Sequence, residues 1–254
     1  MACCLWYNID HQTMSELQTR GLCLTNLNQK YQQPFAESII LSCLALVMLA
    51  FTTSSILFVA YFVLDLPLGT DPPSTILSIS VSLGLLISYA LIIRLSRSFF
   101  SAIFVPQLKA SLFWIVGSIL IGVVFSIVVL WFAPLFKQPS EIDSTFEQIL
   151  TGGATAKALL FISVVLLAPI GEEYLFRGVL LSGLSSRMRT ISAILLSSVV
   201  FMAFHLLEYY GYWFALVAIF LLGILLAMLR LRSQSMLVPI LCHASYNLIM
   251  LTLA

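Results

Sequence analysis

Residues 158–180 read ALLFISVVLLAPIGEEYLFRGVL, an apolar run that carries Glu172, Glu173 and Arg177 in its second half. About 20 apolar residues suffice to cross a bilayer as a helix. Within such a helix an ionisable group costs about 2.5 to 3.5 kcal/mol or more unless it is paired or wetted, so three of them together need partners or a task. Glu173 and Arg177 stand four apart on one helix face, which predicts an internal ion pair. Glu172 points about 100° away from Glu173 and is free for another role.

The remainder of the chain has the same character. Of 254 residues, 61% are hydrophobic and only 9% charged, whereas a soluble domain carries about a quarter charged residues. Mean hydropathy is +1.06. These values exclude a soluble globular fold and predict an all-α, polytopic transmembrane helix bundle of about seven spans, placed at 38–64, 75–93, 110–135, 158–180, 191–207, 212–229 and 236–254. Pro67, Gly69, Pro72 and Pro73 separate the first two, and the polar stretch 137–157 separates the third from the fourth. Residues 94–109 are expected to form a short helix on the membrane surface. The domain reading is a polar cytoplasmic segment over 1–37 followed by one transmembrane domain over 38–254.

The first 37 residues lack the short apolar core and small-residue cleavage site of a signal peptide, so the first span is expected to be retained. Cys3, Cys4, Cys23, Cys43 and Cys242 show no metal-ligand spacing, which argues against a disulfide or structural zinc framework. The net charge of +1 leaves no basic surface for nucleic acid. Membrane lipid is the expected surrounding. With the N-terminus inside, Arg20, Lys30, Arg94, Arg97, Lys109, Arg187, Arg189, Arg230 and Arg232 fall on the cytoplasmic side, and only Lys137 and Lys157 fall outside. That bias predicts a multi-pass plasma (inner) membrane protein with a cytoplasmic N-terminus. Trp6, Trp114, Trp131 and Trp213, with Tyr209, Tyr210 and Tyr212, lie near predicted span ends, as interfacial anchors do.

Two further apolar segments carry polar groups at helical spacing: Phe201 to His205 in the fifth span, and His243 to Asn247 in the seventh. A carboxylate, two imidazoles and an amide converging in a bundle can hold a water and polarise a carbonyl, the requirements for hydrolysing an acyl bond. Depth sets a condition on this reading. At 1.5 Å per residue, Glu172 lies about 12 Å from the inner end of its span, His243 about 10 Å and His205 about 21 Å. A shared site then requires that the fifth helix start later, that it tilt, or that the bundle surround a deep cavity.

The order Glu-Glu-x-x-x-Arg (Glu172, Glu173, Arg177), Phe-x-x-x-His (Phe201, His205) and His-x-x-x-Asn (His243, Asn247), each on an apolar helix, resembles the CAAX protease and bacteriocin-processing family of intramembrane endopeptidases. The resemblance covers residues 155–254; the first three spans match in hydrophobic character alone. It implies an endopeptidase acting on a peptide or membrane-protein substrate. Glu172 would activate the attacking water, His205 would assist that water, and His243 with Asn247 would stabilise the oxyanion. Glu173 and Arg177 would be supporting residues. A glutamate-dependent reaction without a metal is the favoured form. Zinc held by Glu172, His205 and His243 is the other, since two histidines and a carboxylate form a known catalytic zinc set.

Other intramembrane protease chemistries lack their residues here. No His-Glu-x-x-His or Gly-x-Gly-Asp occurs, and Gly183-Leu184-Ser185 stands beside Arg187 rather than within a span. Cys242 is read as a small apolar residue; Glu208, three residues after His205, is either the polar end of the fifth span, the favoured reading, or a further member of the site. The alternative function is a non-catalytic membrane protein of the same fold, acting in bacteriocin immunity or as a binding scaffold; a transporter ranks last, because no inverted repeat is evident.

Overall fold

In lipid a backbone amide or carbonyl has no water to bond, so long uncharged apolar segments satisfy themselves as helices. A computed structural model describes residues 35–67, 71–99, 107–136, 145–206 and 208–253. The helices are α1 (Phe35–Val63), α2 (Ser74–Phe99), α3 (Leu112–Phe132, continued by a 3-10 turn Ala133–Leu135), α4 (Thr145–Leu150), α5 (Ala154–Ser185), α6 (Thr190–Phe204), α7 (Trp213–Ser233) and α8 (Leu237–Leu253). Gln33–Ala254 is one compact unit. The polar N-terminal segment lies outside the described residues up to position 34.

All seven expected apolar elements are present, and the described residues are helical with no strand. Five of them are long and apolar enough to cross a membrane, namely α1, residues Ser74–Leu95 of α2, α3 with its terminal turn, α5 and α7. The other two, α6 and α8, are shorter apolar helices. At 1.5 Å per residue α6 is about 22 Å long, less than a hydrocarbon core of about 30 Å. The protein is a multi-pass membrane protein. Outward-facing Phe51, Phe58 and Phe62 of α1 are exposed, as lipid-facing side chains should be.

One expectation is corrected. Residues 94–99 continue α2 rather than starting a separate surface helix, and 107–110 are not helical; the stretch between lies outside the described residues. The polar connection before α5 contains the short helix α4, whose Ile149 is buried against Leu77, Ala156 and Leu160.

α5 occupies the centre and touches α1, α2, α6, α7 and α8. Small polar residues tie the helices together, which matters in a solvent where apolar contact gives little preference for protein over lipid. Ser82 and Ser163 join α2 to α5 through their hydroxyls at 2.7 Å, and Thr52 and Ser88 join α1 to α2 at 2.6 Å. Between α3 and α8 the backbones approach so closely that a Cβ at Gly122 would overlap the Cys242 carbonyl and the Ser245 hydroxyl.

α5 is not a uniform helix. Ser163–Leu167 and Tyr174–Leu180 adopt π-helical hydrogen bonding on either side of Ala168–Glu173. Such widened turns leave backbone carbonyls short of their usual partner and re-aim the side chains around them. The glutamate pair sits between the two.

Candidate active site

Glu173 is fully buried and anchors the site. Its Oε1 accepts from Arg177 Nη1 at 2.9 Å, the internal i,i+4 ion pair expected from the spacing, and from His243 Nδ1 at 3.0 Å. Arg177, 1% exposed, donates its Nη2 to the Gly223 carbonyl of α7 at 3.1 Å. Its guanidinium also lies over the Phe201 ring, 4.3 Å from the centroid, a favourable contact for a desolvated cation. One carboxylate thus joins α5 to α8, and one guanidinium joins α5 to α6 and α7.

Glu172 is left free, as its position on the helix predicts. It is 7% exposed, and its Oε2 has no hydrogen-bond partner. His243 Nε2 lies 3.9 Å from that oxygen. The distance exceeds a hydrogen bond, yet one water about 2.8 Å from each atom can contact both. His243 therefore presents one ring nitrogen to the structural carboxylate and the other toward the free one.

His205 is at the C-terminal cap of α6, where its Nδ1 lies 2.9 Å from the Phe201 carbonyl oxygen. Phe201 makes edge contacts with His205 at 4.9 Å and with His243 at 5.8 Å between centroids. It touches Arg177 and both histidines, a role that its place in a sequence motif does not reveal. The depth comparison changes for Glu172 relative to His205 and not for His243, which lies about 9 Å from the start of α8 at Leu237. α5 continues to Ser185 rather than ending at residue 180, which puts Glu172 about 20 Å from the turn at 186–189, and His205 lies about 22 Å from it along α6. The inner depth of 12 Å expected for Glu172 is thereby corrected.

Asn247 is only in part what the spacing implied. Its Nδ2 donates to the Val164 carbonyl at 2.8 Å, inside the first π-helical segment of α5. One of its two amide hydrogens is thus committed to holding α8 on α5, and the second is available. Among the described residues no three of His, Cys, Asp and Glu are grouped so as to hold a metal ion, and Glu172, His205 and His243 do not form such a set.

Glu208 follows α6 in the turn leading to α7, at the end of a span; part of the residue is exposed while its carboxyl is largely enclosed by protein. It nevertheless feels both His205 and Glu172. Desolvation by the surrounding protein raises its carboxyl from the ordinary value; His205 opposes the rise and Glu172 adds to it. Cys242 is buried in an apolar cluster with Val129, Leu222 and Leu226, in keeping with a packing residue.

Comparison with known proteins finds similarity over the same part of the chain. Residues 154–249 match the family model described as type II CAAX prenyl endopeptidase, Rce1-like. An uncharacterized 24.3 kDa protein of Escherichia coli is 34% identical over 87 residues, covering 34% of this chain and 39% of that protein. The alignment therefore spans well under half of either protein. No solved structure matches. Over residues 154–249, the stretch that holds the glutamate pair, Arg177, both histidines and Asn247, the chain matches the family of type II CAAX prenyl endopeptidases that its three motifs resemble.

Proposed function

We propose that the protein is a membrane-embedded, glutamate-dependent endopeptidase that hydrolyses a peptide or membrane-protein substrate. The observation that carries this reading is the free Glu172 carboxylate oxygen, buried and one water away from His243 Nε2. A carboxylate without a partner in a water-poor bundle is placed to take a proton from a bound water. In the reaction Glu172 removes that proton as the water oxygen bonds to the carbonyl carbon, and the carbonyl oxygen becomes an oxyanion. Collapse of this intermediate breaks the C–N bond, and the proton on Glu172 passes to the leaving amine.

His243 suits the oxyanion. Its Nδ1 donates to Glu173, so Nε2 can donate as well only when the ring carries two protons. In that form Glu172, Glu173, Arg177 and His243 sum to zero charge, the balance a buried cluster favours. The remaining amide hydrogen of Asn247 is a second donor, and His205 at the cap of α6 assists the water. Glu173 and Arg177 hold the ring and the helices in place.

The test is cleavage of a fluorogenic peptide library by detergent-purified protein, comparing wild type with Glu172→Gln, each with and without a strong chelator. The expected result is activity in wild type that survives the chelator and is lost in the variant. A fully active Glu172→Gln would remove the general-base role, and chelator-sensitive activity would restore the zinc form. The second reading, a non-catalytic immunity or scaffolding protein, draws on Glu173, Arg177 and Asn247, which all serve helix packing. It expects His205 and His243 substitutions to leave the cellular phenotype intact.

A further inference from the structure

Tyr89 lies on α2, outside the segment that matches the family and outside every motif in the sequence. Its ring packs against α5 at Gly171, the residue before the glutamate pair, where a Cβ would overlap the ring carbons Cδ2, Cε2 and Cζ. Glycine at 171 is what admits the ring. The phenol oxygen at the tip of this ring is buried and has no hydrogen-bond partner. The ring carbon Cζ that bears this oxygen is among the atoms a Gly171 Cβ would overlap, so the phenol stands beside the residue that precedes Glu172.

The glutamates show the complementary lack. Glu172 Oε2 and Glu173 Oε2 are both buried and both without a partner. An ionised carboxylate can only accept, whereas a phenol can donate. Buried polar groups left single are rare because each loses its bond to water without replacement. Here one donor and two acceptors go unmatched in the same part of the bundle. No direct bond joins them, and a buried water making about three hydrogen bonds is the usual solution to such an arrangement. Arg177 Nε is also without a partner, but that guanidinium already engages Glu173 through Nη1.

We propose that Tyr89 is a positioning residue for the glutamate pair: held against Gly171, its O–H donates through a buried water to the free oxygens of Glu172 and Glu173. The role assigned to Glu172 as base rests on the function proposed above; the hydrogen bonding does not. α2 then supplies part of the site, and the Ser82 to Ser163 bond that fixes α2 on α5 serves to set the phenol in place.

The test uses Tyr89→Phe, which keeps the ring on Gly171 and removes only the hydroxyl. Infrared difference titration in detergent, with Glu172→Gln and Glu173→Gln used to assign the carboxyl bands, reads the two glutamates without any need for activity. A donor to an ionised carboxylate favours the charged form, so its loss should move at least one assigned band about one unit toward higher pH. In the cleavage assay kcat should fall about tenfold, the value of a hydrogen bond to a charged group, with KM unchanged and the acid limb of the profile moved the same way. Gly171→Ala, which displaces the ring, should shift the bands in the same direction. Unshifted bands in Tyr89→Phe would overturn the proposal. If wild type cleaves nothing, the endopeptidase reading fails while the titration still decides the role of Tyr89.

Discussion

Glu173 serves two partners with one oxygen, and the consequences of removing either partner differ. Arg177→Ala leaves a buried carboxylate and withdraws the bond to the Gly223 carbonyl, so unfolding in detergent should show a loss of about 3 to 5 kcal/mol, accompanied by loss of cleavage. Arg177→Lys should recover part of the stability and not all of it, since an ammonium cannot span Glu173, the Gly223 carbonyl and the Phe201 face at once. Equal stability of Arg177→Ala and wild type would refute the ion-pair assignment. At Glu208 the sign of the pH dependence follows from its raised carboxyl. The group is neutral in the folded protein at pH values where it is already ionised in the unfolded chain. Wild type should therefore lose stability as pH rises through and just above the ordinary carboxylate range, and Glu208→Gln should show a flatter profile in a thermal unfolding series.

Between elements, the position of α8 is set from two sides. On one side Asn247 bonds the Val164 carbonyl of the π-helical segment in α5; on the other, Gly122 lets α3 touch the backbone at Cys242, the neighbour of His243. Asn247→Ala abandons a partly buried carbonyl and should destabilise by about 1 kcal/mol. Gly122→Val should do so by about 1 to 3 kcal/mol, through overpacking. The two variants should be told apart by catalysis. Gly122→Val touches no polar site group, so any loss of cleavage in protein that remains folded reports displacement of His243 by α8. Thermal unfolding and cleavage measured on the same preparations check both expectations.

For the whole molecule, the excess of Lys and Arg at alternate ends of the helices predicts which face lies in the cytoplasm. In a background without native cysteines, Arg187→Cys in the turn between α5 and α6 should react with a membrane-impermeant maleimide only after the cytoplasmic side is opened. Asp71→Cys, between α1 and α2, should react in intact cells. The reverse pattern would invert the orientation. α5 is about 48 Å long at 1.5 Å per residue, well beyond a hydrocarbon core of about 30 Å. Glu172 lies about 20 Å from the Ser185 end of α5, and His243 about 9 Å from the Leu237 start of α8.

Local sequence sets the helices, the Glu173 to Arg177 pair and the separate direction of Glu172 on its helix. All of these depend on local composition and on the 3.6-residue period, which act within one element whatever its neighbours do. The end of α5 is misread from sequence, which places Gly183-Leu184-Ser185 outside a span; the structure continues the helix to Ser185, where α1 and α6 pack on it. Tertiary structure decided what joins across helices: His243 on Glu173, Asn247 on Val164, Phe201 between the two histidines, and Tyr89 against Gly171. Each of those partners lies on another helix, tens of residues away in the chain. No periodicity within one segment can report the face that a different helix presents to it.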